Sequence, residues 1–449
     1  MRIRSFWAKG YRSLVDFRLD GLGQRNVFYG PNGAGKSNIV AAIDTFFRLV
    51  SIRADPRNDD GHPRGHAGAA SMAIHNGVIS QRDRARQIMG LGAEAPTQTT
   101  ILGATLEESA LGLPQITVEI TIDWARSPSI AFTQISDGVR TWEQLAAAWG
   151  DGSSPERRVI ETLSRKLATF DTLFELVGAK RFDPRRAVER EKGGAVTVRE
   201  ALEAGAIAQA IFLAKTGPDA TPRERLEILK RLLEGPPLAR HPLIETHDPQ
   251  TNTYELREVS AGPPRRETPL DLAGLGMEQV TTVLARTVLS GARIVAIEEP
   301  EANLHAPTTG RALREPLLRV VREGTIDQLF VTTHSNIFDL DETGYFDVER
   351  TDPRVGTRVT RKANHEIDAE HLYEPGPAKH VLREVLATYE PSRVVYRDLA
   401  GGVVSAEEML RRLDADDDVA LAYLRQINDA AVHMAGLRAR QGAENEKPT

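Results

Sequence analysis

The chain opens with short runs of alternating or continuous apolar residues. Residues 2–8, 14–20 and 25–30 predict three strands, and the third, around Asn26-Val27-Phe28-Tyr29, runs into a glycine-rich stretch. From Ser37 to Val50 the period changes to that of an amphipathic helix, with Ile39, Ile43, Phe46 and Phe47 on one face. Residues 51–70, rich in Gly, Pro, Asp and Arg, read as a long exposed loop. Alternation returns over 99–107 and 115–124, where Ile116, Val118, Ile120 and Ile122 share a face. From about 140 to 235 the spacing is helical, most clearly over 159–177 and 224–234. Little pattern follows until Gly291, where a β-loop-α-β sequence runs to Asn336. Beyond about 371 the chain reads as helical and charged, and 441–449 as a disordered tail. No internal repeat or sustained heptad is present. The expected organisation is an N-terminal lobe over 1–135, a helical insertion over 136–240, a second lobe of the same core over 241–370, and a helical extension over 371–449.

Composition narrows the class without naming it. A chain of 449 residues can bury a large core and suggests two or three lobes. Its 41% hydrophobic and 27% charged residues are those of a soluble protein. A net charge of −6 gives no global attraction to nucleic acid or acidic membranes. The absence of cysteine excludes disulfides, thiolate zinc sites and a cysteine nucleophile. No run of about 18 apolar residues is present, so no membrane span is expected. The first residues lack a secretory pattern, and the cytoplasm is the expected location.

The strongest chemical signal is Gly30-Pro31-Asn32-Gly33-Ala34-Gly35-Lys36-Ser37, a complete G-x-x-x-x-G-K-[ST] phosphate loop between a strand and a helix. Gly30, Gly33 and Gly35 let backbone amides turn inward, Asn32 lies within the cradle, and the helix N-terminus adds positive potential. Lys36 is placed to reach the β- and γ-phosphates of a nucleotide, and the Ser37 hydroxyl to bind Mg²⁺. A second wall is expected where the apolar run Ile294-Val295-Ala296-Ile297 ends in Glu298 and Glu299. Glu298 is the candidate on the metal side and Glu299 the candidate catalytic base. Another apolar strand, Leu329-Phe330-Val331-Thr332-Thr333, ends in His334, 35 residues after Glu299. If it lies parallel to the first, His334 reaches the same edge and can sense the γ-phosphate.

Together these elements resemble the ABC-type ATPase heads of the SMC/RecF superfamily. The likeness is nearest to the OLD-family (overcoming lysogenization defect) ATPases and their relatives in prokaryotic anti-phage defence. The matching residues are Ile297-Glu298-Glu299-Pro300-Glu301-Ala302-Asn303-Leu304-His305, followed by Thr332-Thr333-His334-Ser335. The resemblance implies an α/β P-loop NTPase fold, an ABC-type head with a helical insertion and a helical C-terminal extension. It also implies ATP and Mg²⁺ as cofactors, and ATP hydrolysis. It locates a signature segment at Leu272-Ala273-Gly274-Leu275-Gly276-Met277-Glu278-Gln279, a degenerate form with Ala273 where Ser is commoner. In the family, residues at the positions of Gly274 and Gly276 meet the γ-phosphate across a head-to-tail dimer. The implied partners are a second copy of the chain, in a dimer or higher oligomer, and a separate effector such as a nuclease or toxin. No Toprim nuclease pattern is found: the run 392–398 is too weak, and Asp414-Ala415-Asp416-Asp417-Asp418 reads as a helix start. The alternative reading is a RecF-like repair ATPase that binds DNA directly, and a third is a scaffold that binds ATP without useful turnover.

Three weaker features complete the picture. The basic run Lys180-Arg181-Phe182-Asp183-Pro184-Arg185-Arg186, continuing to Arg190 and Lys192, is the candidate contact for nucleic acid, although interspersed acids favour a solvated surface. His62 and His66 with Asp59 and Asp60 form a weak metal candidate. Gln81 and Gln98 are weak candidates for the family's Q-loop residue.

Overall fold

The computed structural model describes residues 1–54, 73, 78–79, 99–108, 113–124, 129–136, 166–178, 188, 195–238, 241–260, 265–272, 275–301, 304, 306–334, 344–350, 356–362, 382–397, 403–415, 417, 419–420 and 423–424. The chain divides into two compact units, Met1–Ala363 and Asn364–Thr449.

In the first unit, β1 (Arg2–Tyr11) and β2 (Leu14–Leu19) form a hairpin, followed by β3 (Arg25–Tyr29) and the helix α1 (Lys36–Ala54). The strands β4 (Thr99–Glu108), β5 (Leu113–Asp123) and β6 (Ser129–Ser136) extend the hairpin into an antiparallel sheet of order β2-β1-β4-β5-β6. A second sheet is assembled from distant parts of the chain. It uses β3, β7 (Phe174–Val177), β11 (Ile294–Glu298), β12 (Gln328–Thr333), β13 (Gly344–Glu349) and β14 (Arg358–Lys362) in the order β14-β13-β3-β12-β11-β7. Its strands are parallel except β14 at the edge. Every residue of β12 is buried, as expected for a strand covered on both faces.

The helix α1 packs against strands of both sheets, and this explains its sequence. Ile39, Val40, Ala42, Ile43, Phe46, Phe47, Leu49 and Val50 are all buried, so more than one face is apolar-packed. Phe46 meets Phe6 edge-on in the antiparallel sheet, while Phe47 stacks at 5.3 Å on Phe174 of β7. The two sheets are also tied by a polar clamp. Gln328 is fully buried; its Oε1 accepts from the Ile3 amide at 2.8 Å, and its Nε2 donates to the Ile3 and Gly23 carbonyls at 2.9 and 2.7 Å.

The segment expected to be helical from 140 to 235 differs at one telling place. Leu173 to Val177 does not continue a helix: β7 forms there and pairs in parallel with β11, Phe174 opposite Ile294. Its partner is 120 residues away, so pairing that the local period cannot express decides its conformation. The helices α2 (Val198–Glu203), α3 (Ile207–Thr216) and α4 (Ala220–Glu234) do form, α2 with a reciprocal capping box between Thr197 and Glu200. The patternless stretch before Gly291 holds a small antiparallel sheet, β8 (Leu243–Asp248), β9 (Thr253–Val259) and β10 (Glu267–Pro269), then α5 (Leu275–Leu289). The helix α6 (Ala306–Arg322) joins β11 to β12.

The second unit was expected to be helical, and it also holds a two-stranded ladder, β15 (Val394–Arg397) with β16 (Val403–Ser405). The helix α7 (Ala406–Asp414) follows, its Ser405 side chain capping the Glu408 amide. Asp414 therefore ends a helix, a correction to the sequence reading; among the described residues of the run, Asp417 precedes helical residues 419–420 and accepts from the Val419 amide at 2.9 Å. Leu382, Leu386, Met409 and Leu413 form the core of this unit. Among the described residues no helix is long and apolar enough to cross a membrane.

Candidate nucleotide site

The loop between β3 and α1 is shaped by its glycines. A Cβ on Gly30 would stand 2.2 Å from the Val348 carbonyl oxygen of β13. On Gly35, with φ +106°, it would stand 2.1 Å from the Thr357 hydroxyl. Gly33, with φ +82°, faces open space, so its glycine answers to backbone conformation alone. Pro31, Asn32, Gly33 and Ser37 are exposed, whereas Lys36 is buried. The Lys36 ammonium donates to the carbonyls of Gly30 and Pro31 at 2.7 and 3.0 Å. Burial lowers its pKa, opposed by the nearby carboxylates of Glu299 and Glu301.

Behind the loop runs a chain of side-chain hydrogen bonds that the sequence reading missed. Asn38 Nδ2 donates to Ser13 Oγ at 2.7 Å, Ser13 Oγ lies 2.7 Å from Thr357 Oγ1, and Thr357 Oγ1 donates to the Ala34 carbonyl at 3.1 Å. With both ends fixed as donors, the Ser13 hydroxyl must donate to Thr357. Ser13 and Thr357 are 344 residues apart, and no local motif announces the pair.

The acidic strand delivers its carboxylates to the edge where the loop lies. In the parallel sheet β12 separates β3 from β11, so the C-terminal ends of these three neighbours carry Lys36, His334 and Glu298–Glu299. Glu298 leans toward β7, its Oε2 3.4 Å from where a Cβ on Gly178 would stand. Glu299 adopts φ +43°, a conformation that β-carbon residues avoid, and is held there by its amide donating to the Thr332 carbonyl at 2.8 Å.

Glu301, which the sequence shows only as part of a motif, is tied to the end of β12 by two hydrogen bonds. Its Oε1 accepts from Thr333 Oγ1 at 2.5 Å and from the His334 amide at 3.2 Å. His334 Nδ1 is 3.5 Å from Glu301 Oε1 and 4.0 Å from Glu299 Oε1. The Glu301 side chain is 7% exposed and that of His334 50%.

Of the signature residues, Gly276 lies in the first turn of α5, and Gly274 is outside the described residues. The basic run 180–186 with Arg190 and Lys192, the set Asp59, Asp60, His62 and His66, and Gln81, Gln98, His305 and Ser335 also lie outside them. Among the described residues no group of three or more His, Cys, Asp or Glu is arranged to hold a metal by itself.

Residues 225–341 match a family model described as "AAA domain, putative AbiEii toxin, Type IV TA system". No curated protein matches the chain. Among solved structures, an SMC head domain from Thermotoga maritima is 14% identical with a TM-score of 0.41, covering 81% of this chain and 100% of that one. An SMC head bound to the C-terminal winged-helix domain of ScpA is 13% identical with a TM-score of 0.47, covering 81% and 98%. An SMC head with an extended coiled coil, bound to the C-terminal domain of ScpA derived from Pyrococcus furiosus, is 14% identical with a TM-score of 0.43, covering 85% and 99%. The family match spans α5, β11, α6 and β12 and so takes in Gly276, Glu298, Glu299 and His334. Joined to the phosphate loop between β3 and α1, it is consistent with an α/β fold of the P-loop kind.

Proposed function

We propose that the chain binds ATP with Mg²⁺, hydrolyses it, and uses the cycle to switch between separate and paired heads. The observation that carries this reading is the convergence of Lys36, Glu299 and His334 at one edge of three neighbouring parallel strands. The residues fit the cofactors: Gly30 and Gly35 make a cradle that any Cβ would fill, Lys36 supplies its cation, and Ser37 stands exposed at the start of α1. Bound Mg²⁺ would offset phosphate charge; Ser37 and Glu298 are the residues that would hold it. Glu299 accepts the proton of the attacking water, and its strained backbone aims the carboxylate from the strand end. His334 faces the terminal phosphate.

Glu299→Gln tests this directly. The variant should bind ATP as the wild type does and lose turnover by about 10²-fold or more in a phosphate-release assay. Undiminished turnover removes Glu299 from the role. Glu298→Gln should in addition weaken the dependence of turnover on Mg²⁺.

The output of the switch is a separate effector protein, a nuclease or toxin, in anti-phage defence. The toxin–antitoxin setting in the matched family's description supports this reading. Purification with the products of neighbouring genes, with and without ATP, should recover an effector bound in one nucleotide state. Tight ATP-dependent binding of DNA by the pure chain would instead favour the repair-clamp reading.

A further inference from the structure

We infer that Glu301 is the positioning residue for His334, fixing which ring nitrogen is left to work. The inference rests on the reading of His334 as the histidine that faces the terminal phosphate. Glu301 follows the two strand-end glutamates by two residues and is turned back into the fold beneath His334. Its Oε1 collects the Thr333 hydroxyl at 2.5 Å and the His334 amide at 3.2 Å, so the carboxylate grips the backbone at the point where β12 ends. The same oxygen lies 3.5 Å from His334 Nδ1, nearer than the 4.0 Å of Glu299. Glu301 Oε2 is buried with no hydrogen-bond partner among the described residues, so the side chain's hydrogen bonds there all fall on Oε1, the oxygen that faces His334.

A carboxylate set this close favours a proton on Nδ1, because that nitrogen then presents N–H rather than a lone pair to the negative oxygen. Nε2, on the far side of the ring, becomes the nitrogen that carries the lone pair in the neutral ring. Two neighbouring carboxylates thus divide the work. Glu301 holds the histidine and orders its tautomer, while the more exposed Glu299 is left free to meet water. The device parallels the way an orienting carboxylate sets the tautomer of a catalytic imidazole in other enzymes.

The test uses the full chain labelled with ¹⁵N-histidine, with the His334 signals assigned by their loss in His334→Ala. In the wild type the neutral ring should carry its proton on Nδ1. Glu301→Gln keeps the shape and an acceptor for Thr333 but removes the charge, and the Nε2–H tautomer should become the major form. In the same variant kcat for ATP should fall about tenfold or more with KM within about twofold of wild type, because positioning and not binding is lost. Glu301→Asp should recover part of the wild-type tautomer balance. An unchanged tautomer in folded Glu301→Gln overturns the proposal whatever the turnover does. If that variant does not fold, Thr333→Val serves: loss of the hydroxyl loosens the grip on Oε1 and should shift the same signals, and no shift there overturns the proposal equally. The tautomer is read without nucleotide, so a wild type that never hydrolyses ATP would sink the ATPase reading and leave this result standing.

Discussion

At the scale of single residues, the site shows how one cation can be kept ready by the loop it serves. Lys36 is buried, and its ammonium is satisfied by two carbonyls of its own loop. Lys36→Ala removes a charge-assisted contact to phosphate and should weaken ATP binding by about 2–4 kcal/mol. Titration calorimetry reads this directly, and unchanged affinity would remove Lys36 from the site. A second residue matters for pH. The Asp44 carboxyl, on α1, opens onto a cavity of about 320 Å³ lined by Arg48, Glu175, Arg199, Glu203 and Arg286. It is pushed up to about 6, chiefly by burial, with Glu175 and Glu203 adding to the rise and Arg48 and Arg286 opposing it. In the unfolded chain the same carboxyl titrates near 4. Between about pH 4 and 6 the folded state therefore binds more protons than the unfolded one, and this group's contribution to stability falls as pH rises through that window. Asp44→Asn removes this fall, so its melting temperature at pH 6 relative to pH 4 should be higher than the wild type's, and it should melt no lower than the wild type at pH 7.5. A slope unchanged by the substitution would show that Asp44 does not titrate there.

At the scale of elements, the main sheet is held by contacts that skip along the chain. Gln328 is the sharpest case, since its one side chain satisfies the amide and carbonyl of Ile3 and the carbonyl of Gly23. Gln328→Ala takes this partner from the buried amide and carbonyl of Ile3, while the Gly23 carbonyl keeps its bond from Asn26 Nδ2, and should cost about 2–4 kcal/mol, seen as a lower urea midpoint. An unshifted midpoint would mean that water replaces the clamp. The same elements show what could be read from sequence. The strand–loop–helix around Lys36 and the strands ending in Glu299 and His334 were legible because fixed chemistry sits at fixed spacing beside strong apolar runs. The strand β7 was not, because Phe174 and Val177 also fit a helical face and its ladder with β11 is set by tertiary pairing. The hairpin β8–β9 was missed for a related reason: β8 is half-exposed along its length and shows no buried alternation. Glu301 was visible as a letter in a motif, but its grip on Thr333 and His334 depends on a register between two strands that one sequence does not display. The pairing of Ser13 with Thr357 leaves no trace at all in local pattern.

At the scale of the whole molecule, the question is whether one chain completes its own site. Within the chain, the phosphate loop follows β3, while Gly276 lies in the first turn of α5, a helix of 15 residues that runs before β11. The head-to-tail reading has each site built from the phosphate loop of one copy and the signature of the other, in an isologous pair. Gly276→Asp is a suitable probe because a carboxylate in the first turn of a helix is favourable to the helix itself. It should leave folding intact while placing bulk and negative charge where a terminal phosphate would dock. Alone, the variant should bind ATP with nearly wild-type affinity and hydrolyse none; Lys36→Ala alone should also be inactive. When the two inactive proteins are mixed, each mixed pair contains one site with both defects and one site with neither. With equal amounts and free exchange, half of the pairs are mixed, and turnover should return to about a quarter of the wild-type value. If the heads exchange and mixing restores nothing, the shared site is wrong, and any hydrolysis takes place within a single subunit.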